Sequence, residues 1–169
     1  KMNEIYLEPI KYHKSRLDLI AQWRNESHES LRSSEYTSPH GQRAWVESMT
    51  AMDIYYYILI GDQLIGYCGL DKVSLSNRTA EISMLIGPQY RKKGHGLKAV
   101  KLLLQRAFEI YQLNLVFGEV YWTTGNWGFW SRCGFTFEGE LRQRKWWKGK
   151  YYNSTMFSMT EEEWKQSSF

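Results

Sequence analysis

The chain of 169 residues is 43% hydrophobic and 16% aromatic, with a formal net charge of +4 and a pI near 9.0. That is enough apolar material for one domain with its own core; it excludes a disordered chain, and neither a membrane-length apolar run nor a secretory signal is visible. The two cysteines, Cys68 and Cys133, give neither a disulfide framework nor a zinc-ligand spacing, so reduced thiols, no metal and a cytoplasmic protein are expected.

Lys1 ahead of Met2 reads as an addition before the natural start. Residues 3–8 predict a strand that breaks at Pro9. Leu17, Ile20, Ala21 and Trp23 recur near a helical period over 14–24. The polar stretch 25–38 reads as loop with a short helix, and 41–52 as a second helix carrying Trp45, Val46 and Met49. Residues 54–60 and 64–70 are β-rich, with Gly61-Asp62-Gln63 as a hairpin turn between them. Residues 73–76 predict a further edge and 79–86 the next strand. Over 97–111, Val100, Leu103, Leu104, Ala107, Phe108 and Tyr111 share one helical face, while Lys98, Lys101, Gln105 and Glu109 share another. A strand at 115–121 and a short helix at 126–132 follow, the helix closed by Cys133-Gly134. The last strands are 135–141 and 151–159, joined by the basic, Trp-bearing stretch 142–150. There is no repeat and no linker, so a single α/β domain over 2–169 is expected.

The basic excess lies largely in 91–98 and 142–150 and implies attraction to phosphate, on a cofactor, a nucleotide substrate or a nucleic acid. The first of these runs, Arg91-Lys92-Lys93-Gly94-His95-Gly96, sits between strand and helix. Such a turn can cradle phosphate: N–H groups at a helix start are unpaired and the dipole favours an anion, while glycine allows φ > 0 and close approach. A P-loop is excluded, because no Gly-Lys-Ser/Thr ending is present. A dinucleotide-binding fold is excluded too, because the loop comes mid-chain with no opening βαβ unit.

The order strand, Pro88-Gln89-Tyr90-Arg91-Lys92-Lys93-Gly94-His95-Gly96, amphipathic helix, strand, short helix, Cys133-Gly134-Phe135 resembles the GNAT acetyltransferases. Their Arg/Gln-x-x-Gly-x-Gly/Ala signature is matched by Arg91, Gly94 and Gly96. The resemblance spans nearly the whole chain. Trp23-Arg24-Asn25 and Glu138-Gly139-Glu140-Leu141-Arg142 are similar to the Rim-type branch, which includes ribosomal-protein, polyamine and amino-sugar N-acetyltransferases. The resemblance implies a GNAT fold: a mixed central sheet of about six to seven strands, flanked by helices and splayed at the cofactor strand. It implies acetyl-CoA as co-substrate and an amine as acceptor. The pyrophosphate would lie on the backbone of Arg91, Lys92, Lys93, Gly94, His95, Gly96 and Leu97, with the His95 side chain facing solvent or phosphate. The pantetheine arm would pair in β-fashion along Met84, Leu85 and Ile86. Thr123 and Trp130 fall where the family carries an Asn and a Tyr that serve the donor. Asn126 would touch the pantetheine or cap the short helix, capping being favoured.

Direct attack on the thioester needs a neutral amine, and an alkyl ammonium has a pKa of about 10, so a base or water chain must take its proton. By resemblance Glu119 and Glu81 occupy strand positions that carry that base. The alternative for each is an outward-facing or ion-paired strand carboxylate. The family's usual acid is a tyrosine at the place of Trp130, whose N–H is no proton donor. Ser131, Tyr121 or water remain, or no acid at all, since a thiolate is a tolerable leaving group. Cys133 reads as core.

Acceptor walls are expected, again by resemblance, from 24–40, 70–78 and 142–152, with Arg24, Arg32, Tyr36, Trp146, Trp147 and Tyr151 as contributors. Those side chains suit stacking on a base or sugar and pairing with phosphate; the alternative is that the Trp pair packs on the sheet and the arginines are solvated. The residues favour a nucleotide-linked amino sugar or other small amine over a plain polyamine, which would want carboxylates where this segment holds Arg142, Arg144, Lys145, Lys148 and Lys150. An amine on a nucleic-acid base and a protein N-terminus are alternatives. So, from another class, is a non-catalytic acyl-CoA or nucleic-acid binding module. Late edge strands in the family pair across a dimer axis, so a homodimer is expected.

Overall fold

The computed structural model describes residues 4–168. Lys1, Met2, the expected strand start at Asn3 and the expected domain end at Phe169 lie outside them. In chain order the elements are β1 (Ile5–Pro9), α1 (Lys14–Asn25), α2 (Pro39–Glu47), β2 (Ile54–Ile60), β3 (Gln63–Ser74), β4 (Thr79–Ile86), α3 (His95–Gln105), β5 (Leu115–Tyr121), α4 (Trp127–Arg132), β6 (Thr136–Trp147), β7 (Lys150–Thr160) and α5 (Glu161–Gln166). The strands form one mixed seven-stranded sheet in the order β1-β2-β3-β4-β5-β7-β6.

Alternation on β2 explains the two layers. Tyr56 and Ile58 pack on one side with Val100, Leu103 and Leu104 of α3. Tyr55, Tyr57 and Leu59 pack on the other with Leu17, Ile20 and Trp23 of α1. A strand buried on both faces reads as a continuous apolar run, as Ile54–Ile60 does. Cys68 and Cys133 are free and fully buried, and burial pushes the Cys133 thiol up to about 12, which fits core rather than a nucleophile. No helix among the described residues is long and apolar enough to cross a membrane.

The feature that makes a site is a fork. β4 and β5 pair in parallel only at Thr79–Glu81 against Leu115–Phe117. Beyond that point β4 pairs with β3 alone, and β5 with β7 alone. The expected splay is therefore present at the expected strand.

Several elements differ from the sequence expectation. The second helix runs from Pro39 to Glu47, not 41 to 52: the Ser38 hydroxyl caps it by accepting from Gly41 N–H, with Pro39 at the first position. It stops early because Asp53 accepts from both the N–H and the hydroxyl of Thr50, closing a turn. The chain over 26–38 makes turns and bends with no short helix. The edge expected at 73–76 is largely the end of β3, which runs on to Ser74 through a register shift after Asp71. The helix expected to reach 111 passes at Arg106 into a π-helical turn that ends at Ile110. The stretch 142–150 is no connector: β6 and β7 run through it and turn at Lys148 and Gly149, both at positive φ, as a tight hairpin requires. The C-terminal α5, closed by a Thr160/Glu163 capping box, is an element the sequence reading did not include.

Candidate active site

A cleft of about 1110 Å³ opens from the fork to the start of α3. Its donor end is built from backbone. Gly94 takes φ 80, the left-handed region, and turns the chain into α3 with no side chain capping it. The N–H groups of His95, Gly96 and Leu97 therefore have no helical partner. A Cβ on Gly94 would meet nothing within 4 Å, whereas one on Gly96 would come within 3.2 Å of Phe129 and 3.4 Å of Met84. The first turn of α3 thus presents open amides with no side chain at Gly96, which fits a pyrophosphate. Met84, Leu85 and Ile86 line one wall; Asn126, Phe129, Trp130 and Arg132 line the cleft as well.

The basic residues of the loop do not share one role. Lys92 lines the cleft. Arg91 lines it too, but its guanidinium is spent internally, donating to the Ile86 carbonyl (2.9 Å) and the Ser27 hydroxyl (2.6 Å). Lys93 donates to the Gln89 carbonyl. The Lys93 and His95 side chains do not line the cleft, whereas Leu97 does. Asn126 starts α4, yet its side chain does not cap the helix, which corrects the favoured capping role and leaves the amide at the cleft. Trp130 stacks on Phe157 (4.6 Å between centroids) and stands edge-on to Phe129 and Phe135. Ser131 is exposed and does not line the cleft.

The acceptor end is built from side chains. Glu81 and Glu119 project at the fork with 8% and 4% of their side chains exposed. Arg32 lies between them: its guanidinium bonds Glu81, approaches Glu119 to 3.7 Å, and donates to the Tyr121 phenol at 3.1 Å. Lys72 pairs with Glu81 at 2.6 Å. Arg144 pairs with Glu119 at 3.1 Å, and the Ser154 hydroxyl donates to it at 2.6 Å. Burial pushes the Glu119 carboxyl up, but Ser154, Arg144 and Arg32 together outweigh it and hold the carboxyl below the ordinary glutamate value. Burial raises the Tyr121 phenol despite the Arg32 hydrogen bond, so it keeps its proton at neutral pH. Asp71, opposite Glu81 in the β3–β4 register, is held above the ordinary aspartate value, first by burial and then by the Glu81 charge.

The segment that carries Arg32 is pinned from three sides. Lys145, buried and its pKa lowered by burial, donates to the carbonyls of His28 (2.5 Å) and Leu31. The Thr123 hydroxyl donates to the Glu29 carbonyl at 2.5 Å. Asn25 pairs with the Thr37 backbone through both its amide atoms. Trp23, also in that stretch, lies under Gly87, where a Cβ would come within 2.6 Å of its ring.

Of the side chains expected at the acceptor, Arg24 and Arg32 line the cleft; Tyr36, Trp146, Trp147 and Tyr151 do not. Trp146 and Tyr151 pack on each other at the exposed end of the β6–β7 hairpin, and Trp147 sits beneath the Lys145 and Lys148 ammonium groups. The aromatic wall is instead Trp45, Tyr55 and Tyr67, which the sequence reading missed. The signal was present: with Tyr55 opposite Gly69 and Tyr57 opposite Tyr67 in the β2–β3 register, Tyr55 and Tyr67 are diagonal neighbours on the side of α1 and α2. Asp71 was missed as well.

The sequence model described as Acetyltransferase (GNAT) domain matches residues 5–136. The SPbeta prophage-derived uncharacterized N-acetyltransferase YokL of Bacillus subtilis (strain 168) is 26% identical over 133 residues, spanning 75% of this chain and 73% of that protein. Among solved structures, spermidine N-acetyltransferase from Vibrio cholerae in complex with CoA and spermine superposes with a TM-score of 0.87 over 95% of this chain and 97% of that one, at 18% identity. The dodecameric form of spermidine N-acetyltransferase from Vibrio cholerae gives 0.80 over 98% of each chain, at 19% identity. At such identities the likeness is one of fold, and it does not mark out the Rim-type branch.

Proposed function

The chain belongs to the acetyltransferase (GNAT) domain family, and from that premise we propose that this acetyl-CoA-dependent amine N-acetyltransferase acts on the primary amine of a small cationic acceptor, with Glu119 taking the proton. The observation that carries the reading is the pair of buried carboxylates at the mouth of the fork, Glu81 and Glu119. Asp71, Glu26 and Glu29 add acidic groups to the same cleft. The nucleotide-linked amino sugar and the nucleic-acid base rest on Arg24, Arg32 and Tyr36 and on the basic, aromatic stretch 142–152; Arg24 and Arg32 line the cleft, but Tyr36, Trp146, Trp147 and Tyr151 stand away from it, which weakens the support for these acceptors. A plain polyamine wants carboxylates; 142–150 holds none, and β3, β4 and β5 supply them as Asp71, Glu81 and Glu119. The substrate named for the Vibrio cholerae enzyme, spermidine, is of the favoured class.

Acetyl-CoA supplies the thioester. The open amides of 95–97 would hold its pyrophosphate, and Met84 to Ile86 its pantetheine arm. Glu119, its carboxyl held below the ordinary glutamate value by Ser154, Arg144 and Arg32, accepts a proton from the bound ammonium directly or through water. Tyr121 keeps a phenolic proton at the fork, in the place of the acid that Trp130 cannot be. A Rim-type placement is part of this proposal and rests on two motifs, Glu138-Gly139-Glu140-Leu141-Arg142 and Trp23-Arg24-Asn25, the latter with side chains that respectively support Gly87, bond Tyr67 and hold the Arg32 segment. A second copy would pair at the free edge of β6.

The test is CoA release and product mass with a panel of n-butylamine, spermidine and a nucleotide-linked amino sugar. Glu119→Gln should lower kcat/KM for the accepted amine about 10²–10⁴-fold, the usual worth of a positioned base. Release that never exceeds background with any amine would overturn the reading.

A further inference from the structure

Two buried carboxylates that await a cation are already neutralised by one that belongs to the chain. The Arg32 guanidinium contacts Glu81, Glu119 and Tyr121 at once. These are the three groups a protonated amine would use: two anionic acceptors and a hydroxyl. Lys72 and Arg144 also neutralise the pair, but each reaches one carboxylate only.

We propose that Arg32 occupies the ammonium subsite of the acceptor, and that the incoming amine binds as a cation by displacing the Arg32 side chain from between Glu81 and Glu119. This rests on the acetyltransferase reading and adds to it the competitor the acceptor must expel.

Three observations support the exchange. First, the occupant is compatible in charge and in donor geometry, since guanidinium and ammonium both present several N–H donors and no acceptor. Second, only the side chain has to move. The backbone around Arg32 is held by Lys145 at Leu31 and His28, by Thr123 at Glu29 and by Arg91 at Ser27, while 54% of the Arg32 side chain is exposed and free to swing toward solvent. Third, the exchange keeps the charge balance. Expelling Arg32 with nothing in its place would take one cation out of the fork and leave Glu81 with Lys72 and Glu119 with Arg144 alone, at a cost for carboxylates so little exposed, whereas replacing it with an ammonium leaves the count unchanged. A neutral or anionic acceptor cannot make that exchange, so Arg32 selects for cationic amines. Once the proton has passed through Glu119 to solvent the subsite again lacks a cation, and the return of Arg32 favours release of the neutral amide.

The experiment uses Arg32→Ala and Arg32→Lys beside the wild type, each first checked for an unchanged far-UV spectrum and melting temperature. Binding of n-butylammonium is measured by calorimetry without acetyl-CoA, so the result does not depend on turnover. Arg32→Ala should bind the probe about tenfold more tightly than wild type if the docked arginine leaves roughly one molecule in ten open. Methylguanidinium should compete with the probe on Arg32→Ala, and Arg32→Lys should restore the weaker binding. In turnover, Arg32→Ala should lower the amine KM and leave the acetyl-CoA KM unchanged. Weaker probe binding by Arg32→Ala, or a raised amine KM that methylguanidinium rescues, would overturn the proposal and make Arg32 a fixed positioning cation. Probe binding as expected with no turnover of any amine would leave the subsite standing and remove the acetyltransferase reading instead.

Discussion

The two ends of the cleft are made of different material. At the end we assign to the donor, from Gly87 to Leu97, the groups on offer are main-chain amides aimed by one left-handed glycine and one missing Cβ. The residues that matter are contiguous in sequence. At the acceptor end the groups come from α1 and the segment after it, from β3, β4 and β5, and from β6: Arg24, Arg32, Asp71, Glu81, Glu119, Tyr121 and Arg144. They are brought together by the sheet, and each is set by a neighbour far away in the chain. Backbone recognition tolerates almost any side chain around it, as the varied roles of Arg91, Lys92 and Lys93 show. Side-chain recognition does not, because each charge in the fork is balanced by another.

The contrast can be broken first at the donor end. Gly94→Val should have the largest effect there, since a β-branched residue at φ 80 costs roughly 1–2 kcal/mol and tilts the first amides of α3. The acetyl-CoA KM should rise about tenfold or more for that cost, while the amine KM stays within about twofold; steady-state kinetics with each substrate varied in turn gives both. An equal rise in the two would show that the ends are not separable. A smaller, purely acceptor-side effect is expected from Lys145→Met. It removes a charged donor from two half-buried carbonyls, and the net loss of stability should be about 1–3 kcal/mol by thermal or denaturant melting. Amide exchange should quicken over 26–33 and stay unchanged over 91–97.

The same contrast decides what was legible in the sequence. The glycine loop, the long helix and the strand order could be read because their signals are local: period, turn residues, a contiguous motif. The fork followed from resemblance, since nothing within 79–86 or 115–121 says where the pairing stops. Glu81 and Glu119 could be singled out by position, but their shared partner could not, because Arg32 lies 49 residues from Glu81. Trp146, Trp147 and Tyr151 form no wall, because 142–150 is not the connecting stretch that its basic residues and Trp pair suggest. With Lys148 and Gly149 as the turn, the strands carry those rings out along the hairpin. Lys145 shows the same limit: in sequence it is one more basic residue in a basic run, and only the register shift between Leu141 and Lys145 accompanies its turn inward to another segment's carbonyls.

The smallest expected effect is also the most specific to the acceptor end. Arg144 is half exposed and does not line the cleft, so Arg144→Ala should barely change the rate near neutral pH, where Glu119 is ionised with or without it. The change should appear in acid. Glu119 works as a base only when ionised, so activity falls as pH drops through its pKa, which in the wild type is held below the ordinary glutamate value. Burial raises that pKa, and Arg144 is among the groups that outweigh burial. Without Arg144 the balance tips back, and the acid limb of the kcat profile should move to higher pH. Stability follows the same sign. A carboxyl whose folded pKa is depressed stabilises the fold above its unfolded pKa and loses that contribution as pH falls through the folded one. Arg144→Ala should therefore narrow the gap between melting temperatures at neutral and acidic pH. A limb that stays where it was, in a variant that has lost this part of its acid sensitivity in melting, would place the catalytic proton on Glu81 or on water rather than on Glu119.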